Sequence, residues 1–219
     1  MKIQTLTLLT NNLKEMKEFY HERLQLPLRG DRAKSFSVQI GASILEFKKN
    51  NDDTDPFYHF AMNIPRNKFR EAKSWIRSIT NLNTHNETDE VFFKNWNAYA
   101  VYFTDPAGNI VEFIARQHDS IQKSHSHFNS DQIINISEIG IVTNQVQTIA
   151  KQINKIGIEN SRQGTEDFSP LGDVEGLFII VKSNRIWFFS DQPASFFPVE
   201  IKVKDFGTFI FNKVDKVSI

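Results

Sequence analysis

One carboxylate lies inside an apolar stretch near the middle of the chain. Glu112 belongs to the apolar segment 110–115, and a second apolar segment, 98–103, precedes it. Between them lies the turn sequence Asp105-Pro-Ala-Gly-Asn109, in which proline presets one backbone angle and glycine permits a positive φ. The whole stretch predicts a β-hairpin of two buried strands. Because a buried carboxylate without a partner is costly, we expect Glu112 to pair with a cation such as Arg29 or a lysine, to be protonated, or to bind a metal ion.

The composition of the chain narrows the functional classes. The sequence has 219 residues, with 26 Lys and Arg against 26 Asp and Glu, 20 Phe and no cysteine. The balanced charge gives no reason to expect nucleic acid or an anionic membrane as a partner. The missing cysteine excludes disulfides and thiolate chemistry. The N-terminus alternates polar and apolar residues, unlike a signal peptide, and no apolar run approaches ~20 residues. We therefore expect a soluble cytoplasmic α+β protein.

Strand and helix patterns repeat along the chain. The first unit reads as a strand at 2–10, a helix ending near Leu24, and strands at 28–32, 35–40 and 42–48. The same β-α-β-β-β order returns with a strand at 58–64, a helix at 66–79, a strand at 91–94 and the hairpin. A third unit has a strand at 135–142, a helix at 145–156 and strands near 168–171, 176–181 and 185–189. Two more strands are expected near 199–203 and 208–211, without a helix.

The first two units are expected to pair side by side, because a single repeat does not bury its apolar face alone. Pairing would give a curved cup of about eight strands over residues 1–116, followed by a linker at 117–132 and by the third unit with its C-terminal strands at 133–219. Alternation then separates two faces. The helix-facing residues are Leu6, Leu8, Phe60, Met62 and Ile64, and the cup-lining residues are Thr5, Thr7, His59, Ala61 and Asn63.

Three features together resemble one known family. They are the repeated β-α-β-β-β units, Phe19-Tyr20 ahead of Leu24-x-Leu26-Pro27, and Asp105-Pro-Ala-Gly-Asn-Ile-Val-Glu112. This combination resembles the vicinal oxygen chelate superfamily, which includes glyoxalase I, extradiol dioxygenases, fosfomycin-resistance thiol transferases and bleomycin-binding proteins. The resemblance covers residues 1–116, and it extends more weakly to the third unit through Ser137-Glu-Ile-Gly-Ile-Val142.

The resemblance implies a set of metal ligands. In metal-bearing members the ligands come from the first and last strands of the paired units, which correspond here to His59, Glu112 and Glu46, with Thr5 where a further histidine is expected. This set implies a site for Zn, Ni, Mn or Fe, with Glu46 or Glu112 as general base. The alternatives are a structural role for His59 and an exposed strand-end position for Glu46. In the third unit Glu138 matches His59 and the region of Trp187 matches Glu112, and no second metal site is expected there.

Three functions follow from the resemblance. The first is a metal-dependent lyase or isomerase that acts on a small substrate with adjacent oxygens. The second is a metal-free protein that sequesters a small molecule, which the residue Thr5 and the abundant phenylalanine favour. The third is an extradiol dioxygenase, which needs two histidines and a carboxylate. Because the third unit needs a partner for its sheet edge, we also expect a homodimer, or a C-terminal tail folded over that unit.

Overall fold

The computed structural model describes residues 1–118 and 127–219. The first repeat consists of β1 (Ile3–Thr10), α1 (Leu13–Lys17) with a π-helical continuation (Glu18–Arg23), β2 (Leu28–Arg32), β3 (Ser35–Ile40) and β4 (Ser43–Lys49). The second consists of β5 (His59–Asn63), a 3-10 turn (Arg66–Lys68), α2 (Phe69–Arg77), β6 (Val91–Phe93), a second 3-10 turn (Lys94–Trp96), β7 (Ala98–Thr104) and β8 (Ile110–Arg116). The predicted α+β class with repeated β-α-β-β-β units is confirmed.

The third repeat is shorter than predicted. After a 3-10 turn (Ser130–Gln132) it contains β9 (Asn135–Thr143), α3 (Val146–Asn154), β10 (Phe168–Asp173) and β11 (Gly176–Lys182). The strand expected at 185–189 does not form, and Ile186 makes only an isolated bridge to Pro193. The C-terminal strands are β12 (Val199–Val203), β13 (Gly207–Lys213) and β14 (Lys216–Ser218). An apolar aromatic run is compatible with a strand or with a loop that covers a sheet, and here it is a loop.

The strands form two seven-stranded sheets, so the predicted pairing of units one and two in one eight-stranded cup is wrong. One sheet has the order β14-β13-β12-β1-β4-β3-β2, and the other has the order β10-β11-β9-β5-β8-β7-β6. The second repeat pairs with the third through antiparallel β5 and β9, and the first repeat pairs with the C-terminal strands through antiparallel β1 and β12. Alternation specifies which face of a strand is buried, but it does not specify which strand lies at its edge.

The two sheets share one apolar core, in which the predicted helix-facing residues are all buried. These residues are Leu6, Leu8, Phe60, Met62 and Ile64. The sheets meet at the turn between β3 and β4, where the Ala42 amide donates to the Ile134 carbonyl at 2.8 Å. Gly41 has a φ of +52°, and a Cβ there would collide with the same carbonyl. Ser43 Oγ accepts from the Ile136 amide at 3.1 Å, which fixes β9 against the first sheet.

The third repeat finds its sheet partner within the chain. Its first strand pairs with β5, so the unpaired edge that favoured a second subunit is already occupied. The C-terminal strands pair with β1, and β13 also packs against the third repeat, where the Phe209 ring lies 5.0 Å from the Phe178 ring of β11. Of the predicted linker, residues 119–126 lie outside the described residues, while Phe128 is buried against Trp75 and Phe113. In the described part of the chain no helix is long and apolar enough to cross a membrane.

Candidate metal site

Three adjacent strands bring three potential ligands together. His59 lies on β5, Glu112 on β8 and Glu138 on β9, and their ligand atoms all lie within 4.8 Å of one another. The central strand explains this convergence, because Ala61 pairs with Glu112 on one side and with Glu138 on the other. All three side chains are buried, with 7%, 2% and 8% of their residue surface exposed. Ionisable side chains are seldom this buried unless they are paired or bind a metal.

The orientation of His59 suits a metal ligand. Its Nδ1 lies 3.0 Å from the Ile110 carbonyl oxygen, which can only accept, so we assign the proton to Nδ1. Nε2 then presents a lone pair towards Glu112 Oε2, at 3.7 Å. That separation is too long for a hydrogen bond, and it matches two ligand atoms that each lie about 2.1 Å from one ion. Burial also lowers the pKa of His59, which favours the neutral form that binds metals.

A buried arginine, Arg116, holds the carboxylate of Glu138 in place. Arg116 Nη2 donates to Glu138 Oε1, and Arg116 Nε donates to Asn63 Oδ1 at 3.3 Å. Arg116 is only 2% exposed, and its guanidinium lies 5.5 Å from the Trp96 ring. A hydrogen bond from a buried neighbour is the usual means of orienting a ligating carboxylate. Arg116 therefore fixes Glu138 in place and offsets part of the negative charge of the site.

The surroundings of Glu112 disfavour its ionised form. Burial raises its pKa well above the usual range, the charge of Glu138 raises it further, and a hydrogen bond with Tyr102 lowers it. Tyr102 faces Glu112 across the β7–β8 ladder, and burial raises the pKa of its phenol. Without a cation the site favours a protonated Glu112. A divalent ion would reverse that preference, because it stabilises the ionised carboxylate.

An aromatic cavity opens over these three residues, with a volume of about 570 Å³. Its lining includes Phe92, Phe93, Trp96, Tyr102, Trp187 and Phe188. The Trp187 ring lies 5.0 Å from the imidazole of His59, and Tyr102 stacks on Phe189 at 4.8 Å. The aromatic loop that follows β11 therefore covers the site. A cavity of this size that is mainly apolar and has a few convergent polar groups is typical of a small-molecule site.

Only part of the predicted ligand set is assembled. His59 and Glu112 are adjacent, but Glu46 lies in the other sheet, where it accepts from Thr7 Oγ1 at 3.1 Å and lies 3.5 Å from Lys48 Nζ. Thr5 is on the same distant strand pair as Glu46. Arg29, a possible partner of Glu112, instead donates to Gln39 Oε1 at 2.8 Å. Glu46 is therefore not part of this cluster.

The residue that sequence reasoning did not include is Glu138. The sequence does indicate Glu138, because its position in the third repeat matches that of His59 in the second. The matching partner of Glu112 was misplaced near Trp187, which lies in the loop. The β9–β11 register pairs Gly140 with Ile179, so Ile179 occupies that position instead. One imidazole and two carboxylates are suitable donors for a hard or borderline divalent ion, and the residues fit such a site.

Solved structures share this fold. A Bacillus subtilis protein described as a candidate dioxygenase superposes with a TM-score of 0.59 and 16% identity, over 83% of this chain and 63% of that chain. A single-site variant of glyoxalase I from Zea mays gives a TM-score of 0.58 and 14% identity, over 90% and 73%. Glyoxalase I from Zea mays gives 0.54 and 14%, over 83% and 66%. The chain thus has the fold of the vicinal oxygen chelate superfamily, and spans less than two thirds of the Bacillus protein.

A more specific likeness covers the third repeat. The family model described as toxoflavin-degrading enzyme matches residues 136–185, which include Glu138 and Ile179. A comparison with curated protein sequences finds no match. The family match therefore falls on the repeat that contributes Glu138, the potential ligand that is absent from the predicted set.

Proposed function

We propose that this protein is a metal-dependent enzyme that binds a divalent ion at His59, Glu112 and Glu138 and acts on a small aromatic substrate with neighbouring oxygen atoms. The observation that supports it is the convergence of these three buried groups at the base of an aromatic cavity. When bound, the ion would supply Lewis-acid polarisation of the substrate oxygens. The donor set has one histidine and two carboxylates, whereas oxygen-activating Fe(II) sites use two histidines and one carboxylate, so lyase or isomerase chemistry is the better fit.

The residues of the chain have separate roles in this proposal. His59 presents Nε2 because Ile110 fixes its other ring nitrogen, and Arg116 holds Glu138. Glu112 is the proton acceptor, because it lines the cavity and a bound ion would keep its carboxylate ionised. Trp187 and Tyr102 exclude water and bind the flat faces of the substrate. Because the matched family is described as toxoflavin-degrading, toxoflavin is the first compound to test.

The test uses protein purified without a histidine tag and stripped with EDTA. Titration with MnCl₂ in a calorimeter should give one site per chain, and liquid chromatography should show manganese-dependent loss of toxoflavin. His59→Ala and Glu138→Gln should each lower the manganese affinity by more than the roughly 10–100-fold typical of an outer-shell partner. Glu46→Gln is the matched control. Glu46 has the same register position in the first repeat that Glu112 has in the second, but it lies in the other sheet. If Mn, Fe, Ni and Zn all fail to bind, the metal-dependent proposal is wrong.

Metal-free sequestration of a small molecule is the second candidate. The observation that favours it is the Arg116–Glu138 pair, which already offsets one buried negative charge. In that case EDTA treatment would leave ligand affinity unchanged, and His59→Ala would weaken binding only through its contact with Trp187. Equal ligand affinities with and without manganese, together with no turnover, would favour this function over the enzyme.

A further inference from the structure

Two arginines on the cavity wall share one aromatic ring. The guanidinium carbons of Arg162 and Arg185 lie 5.3 Å and 5.2 Å from the centre of the Phe168 ring, and Arg162 also lies 4.4 Å from Trp96. All four residues line the cavity that contains the candidate metal site. Contact with aromatic faces holds a guanidinium in place while leaving its N–H groups available as donors. The two cations are thus positioned at one place on the wall.

These two guanidiniums have no carboxylate partner within the described residues. The neighbouring acid Asp167 pairs with Lys182 at 3.0 Å, and Glu138 pairs with Arg116. Arg162 is only partly exposed, whereas Arg185 is exposed to solvent. Desolvation by burial lowers the pKa of Arg162, and the charge of Glu138 acts in the opposite direction although Glu138 is paired with Arg116. A partly buried guanidinium generally needs an acceptor, because burying a charge without one is unfavourable. An acceptor for Arg162 is therefore expected to come from outside the chain, and Arg185, on the same aromatic ring, can donate to the same group.

The charged residues that line the cavity also favour an acceptor with a negative charge. Its lining contains three cations, Lys94, Arg162 and Arg185, and two carboxylates, Glu112 and Glu138. Both carboxylates lie at the buried end, where Glu138 is paired with Arg116. The wall at Phe168 then has excess positive charge. Clefts lined by one sign of charge concentrate ligands of the opposite sign.

We infer that Arg162 and Arg185, held by Phe168 and Trp96, form a subsite for an anionic group such as a carboxylate or sulfonate on a planar aromatic ligand. The ring system of the ligand would lie against the aromatic lining, and the acidic group would accept from the guanidiniums. This inference rests on the proposed function in one respect, namely that the same cavity receives the substrate. It adds the charge of the substrate to the aromatic character proposed above.

The test compares two fluorescent probes that differ in charge. 1-Anilinonaphthalene-8-sulfonate has a sulfonate, and N-phenyl-1-naphthylamine has the same ring skeleton without it. In the intact, EDTA-treated protein the sulfonate probe should bind more tightly than the neutral probe, and its affinity should fall as salt is added. Arg162→Gln and Arg185→Gln should each weaken the sulfonate probe by about tenfold, the usual effect of losing one charged hydrogen bond. Binding of the neutral probe should change less than about twofold.

Arg70→Gln is the matched control, because Arg70 is exposed on α2 and pairs with Glu90 instead of lining the cavity. Arg185→Lys, which keeps the charge, should retain part of the sulfonate affinity. Failure of the sulfonate probe to bind, equal losses for both probes, or an unchanged sulfonate affinity in the Gln variants would overturn the inference. Manganese titration of Arg162→Gln separates the two proposals. Normal metal affinity with lost sulfonate binding supports the subsite, and absent metal binding in every form counts against the proposed function alone.

Discussion

Glu112 and Ile179 occupy the same register position in the last strands of two successive repeats. Glu112 pairs with Ala61, two residues after His59, and Ile179 pairs with Gly140, two residues after Glu138. The four neighbouring strands β8, β5, β9 and β11 thus each contribute one residue at equivalent positions. Three of these residues are polar, namely Glu112, His59 and Glu138, and the fourth is Ile179, which is 6% exposed. A catalytic metal site keeps at least one position for substrate, and an apolar fourth position is consistent with that requirement.

Ile179→Glu should convert this position into an additional ligand. Without metal the variant should unfold at a lower temperature than the wild type, because a third carboxylate is buried next to Glu112 and Glu138. With manganese the gain in unfolding temperature should exceed that of the wild type, because the ion binds only the folded site. Differential scanning fluorimetry with and without MnCl₂ measures both effects.

Val181→Glu is the matched control, because Val181 lies two residues further along β11 and is buried in the same apolar cluster. Val181→Glu should lower the unfolding temperature, and manganese should raise that temperature no more than it does in the wild type. If both variants respond equally to the ion, Ile179 does not lie at a ligand position.

Arg116→Gln should destabilise the metal-free protein strongly. It leaves Glu138 buried without its charge partner, and breaking a buried ion pair in this way costs about 3–5 kcal/mol. Urea unfolding of the EDTA-treated protein gives the free energy directly. Saturating manganese should reduce the deficit, because the ion supplies the missing positive charge. A deficit of the same size with and without manganese would show that Glu138 does not bind the ion, and Arg77→Gln, at an exposed arginine, provides the baseline.

Much of the fold could be predicted from local patterns. The Asp105–Asn109 turn, the period-two strands and the helical spacing gave the repeats, and alternation placed His59 on the face opposite Phe60. The pairing of repeats could not be predicted, because β1 and β5 have similar alternation and either could accept β9 or β12 at its edge. Glu46 was included among the expected ligands because the first repeat was expected to pair with the second. Its equivalence to Glu112 within the repeat was correct, but the equivalent strands lie in different sheets.

Gly140→Ala should disturb the loop that covers the site. A Cβ at residue 140 would lie 2.5 Å from Cη2 of Trp187 and 3.3 Å from the His59 carbonyl oxygen, so the indole must move. Overpacking of this kind costs about 1–3 kcal/mol, and displacement of Trp187 should also weaken binding of aromatic ligands. The measurements are urea unfolding and binding of N-phenyl-1-naphthylamine.

Adding Trp187→Phe to Gly140→Ala should recover part of the lost stability, because phenylalanine lacks the ring atoms that collide. Gly30→Ala is the control, since its Cβ would meet only Ser37 Oγ, at 3.1 Å. If the double variant is no more stable than Gly140→Ala alone, the contact with Trp187 is not the cause of the loss.

Asp105 should make a measurable contribution to the pH dependence of stability. Burial raises its pKa to about 6, from 3.8, although Tyr20 and Asn109 donate hydrogen bonds to it. Between these two pH values the folded state binds more protons than the unfolded chain, so this contribution is fully present below pH 3.8 and is lost as the pH rises through 6. Asp105→Asn cannot titrate. Its free energy of unfolding relative to wild type should therefore increase by up to about 3 kcal/mol between pH 4 and pH 7.5.

Urea unfolding at both pH values tests this prediction, and Asp53→Asn, at an exposed aspartate, is the control. A relative stability that falls with rising pH would mean that the folded protein prefers the ionised carboxylate, with its four donors from Tyr20, Ala107 and Asn109 outweighing the penalty of burial.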